Sequence, residues 1–102
     1  VNDNTLVISG FLPKDPAISK SPAGVVHCQF VLEHESEQYE AGLPRRVWCR
    51  IKVVASGGEF KSQTEFLKSG CRVQVTGFLV RVEGRNGLAQ LVLHARQINI
   101  TD

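Results

Sequence analysis

The sequence predicts an all-β barrel of five strands with one short helix between the third and the fourth. Three observations carry this expectation. Five segments rich in Val, Ile, Leu and Phe lie between turn-forming clusters, as strands do. Within them apolar and polar residues alternate with a period of two, and glycines interrupt two of the segments where a small barrel would need a sharp bend. A chain of 102 residues supports one modest core, so residues 1–102 form a single domain.

The first strand is expected over 4–12, with Gly10 at a bend. KDPAISKSPAG (14–24) follows, and its prolines and glycine read as a mobile loop. The second strand covers 25–36 and, after a loop at 37–44, the third covers 46–56. In EFKSQTEFLK (59–68), Phe60, Thr64 and Leu67 have helical spacing and Gly70 is a stop signal, so the short helix belongs there. The fourth and fifth strands, 71–83 and 88–100, flank Asn86-Gly87, a pair suited to the two positive-φ positions of a tight turn. Together they form a long β-arm, and Gly77 marks a bulge in it. The order β-β-β-α-β-β is that of the oligonucleotide-binding (OB) Greek-key barrel, although another five-stranded topology would leave much the same trace.

Parity in the third strand sets the direction of the chain's single tryptophan. Val47, Cys49, Ile51 and Val53 share one face and Arg46, Trp48, Arg50 and Lys52 the other. Burying the indole would require a one-residue slip that also buries three cations, each at a cost of several kcal/mol. Trp48 is therefore expected outside. The same logic turns Val26, Cys28, Phe30 and Leu32 inward in the second strand, and Cys71, Val73, Val75 and Leu79 in the fourth. Phe78, Val80 and Val82 then form an outer apolar stripe. Such a stripe calls for a partner, most economically a second copy in a homodimer, unless Phe78 and Val80 pack under the helix or the 37–44 loop.

Composition agrees with a polyanion partner. Net charge is only +2, but residues 44–96 carry ten Lys/Arg against three acids, whereas 1–43 carry two against six. An aromatic platform among cations offers single-stranded nucleic acid both a π-face for its bases and charges for its phosphates. The candidate binding residues are Trp48, Arg46, Arg50 and Lys52, with Lys14 and Lys20 from the first loop and Arg81 and Arg85 from the β-arm. Taken singly, each cation is equally consistent with a solvated surface.

Other function classes find little in the sequence. Cys28, Cys49 and Cys71 are odd in number and form no C-x-x-C pair, so reduced core thiols are expected rather than disulfides or zinc ligands. The histidines lie on separate segments without a nucleophile motif, and no Gly-rich phosphate loop or H-E-x-x-H is present, so no enzyme activity, metal or cofactor is expected. Glu33-His34-Glu35 would not converge on a cation, because neighbours on a strand point to opposite sides. With no apolar leader and no span near the length of a membrane helix, the chain reads as soluble and cytoplasmic.

The stretches LVISG (6–10), SPAG (21–24), HCQFVLEHES (27–36), WC (48–49), VTGF (75–78), NGL (86–88) and LVLHARQI (91–98) run through nearly the whole chain. In these the chain resembles the primosomal replication protein N (PriB) family. The resemblance implies a homodimeric OB fold that binds single-stranded DNA without sequence preference and catalyses nothing. It also implies contacts with the restart helicase PriA, the primosomal protein DnaT and the single-strand-binding protein at stalled forks. Trp48, Lys20 and Arg85 match the family's DNA-contacting positions in kind and place. Leu43, Glu35, Glu83 and Gln90 depart from it, replacing an aromatic or basic residues. Those departures raise the alternative of a protein-interaction adaptor with residual nucleic-acid binding.

Overall fold

The computed structural model describes residues 3–57, 60 and 64–101. Among these residues six strands form in chain order: β1 (Leu6–Phe11), β2 (Ala17–Lys20), β3 (Val26–Glu40), β4 (Leu43–Ser56), β5 (Arg72–Glu83) and β6 (Ala89–Ile100). Their order in the sheet is β1-β5-β6-β4-β3-β2, and a further β1–β3 pairing at Phe11 and Glu33 closes five of them into a barrel, with β2 flanking β3. Neighbours are antiparallel except β4 and β6, which run parallel through Lys52–Val92, Val53–Leu93 and Val54–His94. This is the expected OB-type barrel.

Period-two alternation places the core as expected. Cys28, Phe30 and Leu32 of β3, Val53 and Ala55 of β4, Cys71, and Val73 and Val75 of β5 are buried together with Leu93 and Ile98 of β6. Ile51 and Leu79 pack against this cluster, and among the described residues no charged side chain is buried. Two glycines permit the closure. A Cβ on Gly10 would run into the Glu33 carbonyl, and one on Gly77 into the His94 carbonyl, so backbone must lie where a side chain would otherwise stand. Beside Gly77 the ladder shifts register, leaving Arg96 as the extra residue of a β6 bulge.

Several expectations are revised. The first loop contains a strand: Ala17–Lys20 pairs with Gln29–Val26, although all four residues are exposed and so carry no alternation to read. The 37–44 segment is a hairpin and not a loop. β3 and β4 pair without interruption from His27–Ser56 to Glu40–Leu43, turning through Ala41 (φ 54°) and Gly42 (φ 77°). The turn with two positive φ values therefore lies here and not at Asn86-Gly87. At the β5–β6 tip only Gly87 has positive φ; its N–H donates to the Gly84 carbonyl, while the Leu88 N–H donates to Asn86 Oδ1. Of the predicted helix, residues 59 and 61–63 lie outside those described, and no helix of the expected length forms over the rest. Of it, Phe60 and Leu67 are seen buried in the core, and the Leu67 N–H donates to the Thr64 carbonyl over a single turn.

Candidate nucleic-acid interface

Uninterrupted pairing of β3 and β4 decides what surrounds the indole. On the outer face, Arg46, Trp48, Arg50 and Lys52 of β4 stand opposite Glu37, Glu35, Glu33 and Val31 of β3. Trp48 is 55% exposed, as strand parity requires. Its Nε1–H donates to Glu33 Oε1 at 3.0 Å, and Arg50 Nε donates to the same oxygen at 3.2 Å. The Arg50 guanidinium also lies over the indole, 5.4 Å from the ring centroid, in cation–π geometry. Arg46 approaches Glu35 at 3.5 Å. Thus two of the three cations on this face already hold carboxylates, while Lys52 has no carboxylate partner among the described residues.

The remaining candidates are spread over the molecule. Lys20 pairs with Val26 at the end of β3 remote from the indole, nine positions from Glu35 and so roughly 30 Å along the strand. Lys14 is exposed in the β1–β2 connection and Arg85 in the turn of the β5–β6 arm. Arg81 pairs with Leu91, one step beyond the Val80–Val92 pair that lies in line with Lys52. Alternation puts Arg81 on the opposite sheet face from Trp48, and it holds Glu83 at 2.9 Å. The structure thus brings Arg46, Trp48, Arg50 and Lys52 together, leaves Lys14, Lys20 and Arg85 at the flanks, and turns Arg81 away.

The outer stripe of β5 is less open than expected. Phe78 stacks on His94 with centroids 5.4 Å apart and an interplanar angle of 17°, and the Arg96 guanidinium lies 5.1 Å from the Phe78 centroid. Val80 is half-buried and its β6 neighbour Val92 is buried outside the core cluster, so only Val82 keeps substantial exposure. The ring contacts that cover Phe78 come from His94 and Arg96 of β6. Glu33, His34 and Glu35 diverge as expected. His34 Nδ1 donates to the Ser9 carbonyl and its Nε2 contacts Ser36 Oγ, and among the described residues no cluster of acidic, His and Cys side chains could hold a metal.

Glu33 is the neighbour of the indole that the sequence reading missed. The signal was present: with the turn placed at Ala41-Gly42, the β3–β4 register follows and sets Glu33 opposite Arg50, one step diagonal to Trp48.

The fold has close relatives among solved structures. PriB from Ralstonia solanacearum superposes with a TM-score of 0.81 at 23% identity, covering 99% of this chain and all of that one. A deletion variant of the single-stranded DNA binding protein from Thermus aquaticus also gives 0.81, at 19% identity over 97% of this chain and half of that one. Both likenesses concern the fold. Sequence decides the family: residues 4–97 match the profile described as another single-strand binding protein family. Replication restart protein PriB of Photorhabdus laumondii is 52% identical over 99 residues, 97% of this chain and 94% of that protein. The chain belongs to the PriB family of single-strand-binding proteins. A second PriB-family relative, from Yersinia pestis, is 48% identical over 102 residues, all of this chain and 96% of that protein. Among the described residues of this PriB-family chain, no helix is long and apolar enough to cross a membrane.

Proposed function

We propose that this chain is a non-enzymatic, single-stranded-DNA-binding accessory protein of replication restart, in which Trp48 stacks on a base and nearby cations hold phosphates. The exposed indole on the outer face of β4, flanked by Arg46, Arg50 and Lys52, carries this reading. Membership of the single-strand-binding family and the replication-restart names of its relatives support it. Lys14, Lys20 and Arg85 extend the phosphate track from the two flanks, and Arg81 contributes charge from the far side of the arm. PriA, DnaT and the single-strand-binding protein are the proposed partners, in the cytoplasm at stalled forks.

A homodimer belongs to the same proposal. The covered state of Phe78 weakens the β5 stripe as its seam. β1 offers another: beyond Phe11, which pairs with β3, and Ser9, whose carbonyl accepts from His34, its Leu6–Ile8 edge has no strand partner among the described residues, and Val7 is exposed there. Light scattering is expected to give twice the chain mass.

Titration with oligo-dT tests the binding directly. Trp48 emission should be quenched, and affinity should fall as salt rises with a log-log slope of about −0.7 per phosphate contacted. No quenching, or salt-insensitive binding, would count against the reading.

The ion pairs of Arg46, Arg50 and Arg81 favour a second reading, an adaptor whose DNA affinity is residual, because each cation must exchange a carboxylate for a phosphate. Trp48→Ala and Glu83→Lys separate the two. If neither changes DNA affinity while PriA is still captured, the adaptor reading holds.

A further inference from the structure

Among the polar residues around the indole, Glu33 is distinctive. Its side chain is only 12% exposed although it lies on the outer face of the hairpin, and one of its oxygens accepts hydrogen bonds from both Trp48 and Arg50. A carboxylate beside a surface meant for phosphates should weaken binding by repulsion, so its position there asks for a physical reason. Geometry supplies one. An indole attached only at Cβ explores several rotamers, and ordering it on binding costs affinity. Fixing the ring edge through Nε1 and covering one ring face with a guanidinium that the same carboxylate anchors removes that cost beforehand.

We propose that Glu33 is a positioning residue for the nucleic-acid platform: it clamps Trp48 and seats Arg50 against one face of the indole, leaving the opposite face to receive a single base. The proposal rests on the single-strand-binding reading of Trp48. It assigns Arg50 to the back of the ring, so the phosphate contacts nearest the stacked base fall to Lys52 and Arg46.

Electrostatics and positioning predict opposite signs, which makes the role measurable. Glu35 serves as the comparison, since it pairs with Arg46 and makes no hydrogen bond to the indole. Oligo-dT affinity, read by anisotropy of a labelled oligonucleotide, is to be compared for Glu33→Ala, Glu33→Gln and Glu35→Gln. Time-resolved anisotropy of Trp48 in the DNA-free proteins is measured alongside. Glu35→Gln should bind more tightly than the parent through loss of negative charge. Glu33→Ala should bind about fivefold more weakly despite losing the same charge, with a faster-moving indole. Glu33→Gln keeps an acceptor for Nε1–H and should retain the slow indole and at least the parent's affinity. It also guards against misreading a folding defect in Glu33→Ala.

Glu33→Ala binding as tightly as the parent or more so, or an indole as immobile as the parent's, would overturn the clamp. Failure of the underlying reading looks different. Trp48→Ala would then bind oligo-dT like the parent, and a mobile indole in Glu33→Ala would show Glu33 to be a structural contact only.

Discussion

At the scale of single residues, burial and pairing decide which groups are available for chemistry. Cys28 and Cys71 are buried and Cys49 is half-buried, all as free thiols. A thiol reagent should modify Cys49 first and reach the other two only on unfolding, as quantitative labelling with and without denaturant would show. Burial also raises the pKa of the Cys28 thiol above its ordinary 9.0. As pH rises past that value the unfolded chain loses this proton before the folded one, so stability should decline there. Denaturant melts of Cys28→Ala are expected to show a shallower alkaline decline. The direction of Trp48 was legible because three cations share its parity. The partner of its N–H was not, because a carboxylate fifteen residues upstream becomes a neighbour only through the hairpin register.

Among the elements, the β3–β4 hairpin shows where local rules lose to the ladder. Ala41 adopts φ 54°, which an alanine occupies at a cost of about 1–2 kcal/mol, and fourteen paired positions on either side hold it there. Ala-Gly is a weak turn signal and Pro44 follows closely, so the sequence suggested a loop. Asn86-Gly87 sent a stronger signal to a tip that needs positive φ at one residue only. β2 escaped notice because four exposed residues show no pattern. Replacing Ala41 with Asn, which tolerates the left-handed region, should stabilise the protein by about 0.5–1 kcal/mol in urea unfolding. Gly77→Ala should do the reverse, by several kcal/mol or with loss of folding, because its Cβ has nowhere to go but the His94 carbonyl.

Across the whole molecule, the core followed from the alternation and the sharp bends from Gly10 and Gly77, whereas the pairing order of the strands did not, since another five-stranded topology would leave much the same trace. Charge placement was less legible. A count along the chain gave a basic second half, but antiparallel pairing laid Arg45, Arg46 and Arg50 against Glu40, Glu35 and Glu33 of the first half. The exposed pairs Arg46–Glu35 and Arg81–Glu83 each contribute about 0–1 kcal/mol to stability, so their carboxylates can be removed without unfolding the protein. Combining Glu35→Gln with Glu83→Gln should steepen the salt dependence of oligo-dT affinity while the melting temperature stays within a few degrees of the parent's. Parallel titrations and thermal melts check both halves of that statement.

The two-residue bend at 41–42 is also insulated from the ring at the other end of its ladder. One residue inserted there cannot be passed along β3 and β4, because a one-place slip would send Arg46, Arg50 and Lys52 inward and leave unpaired cations in the core. The bend must absorb the addition, and Glu33 keeps its place beside Trp48. Single insertions at that tip are therefore expected to leave oligo-dT affinity near the parent's, as parallel titrations would check.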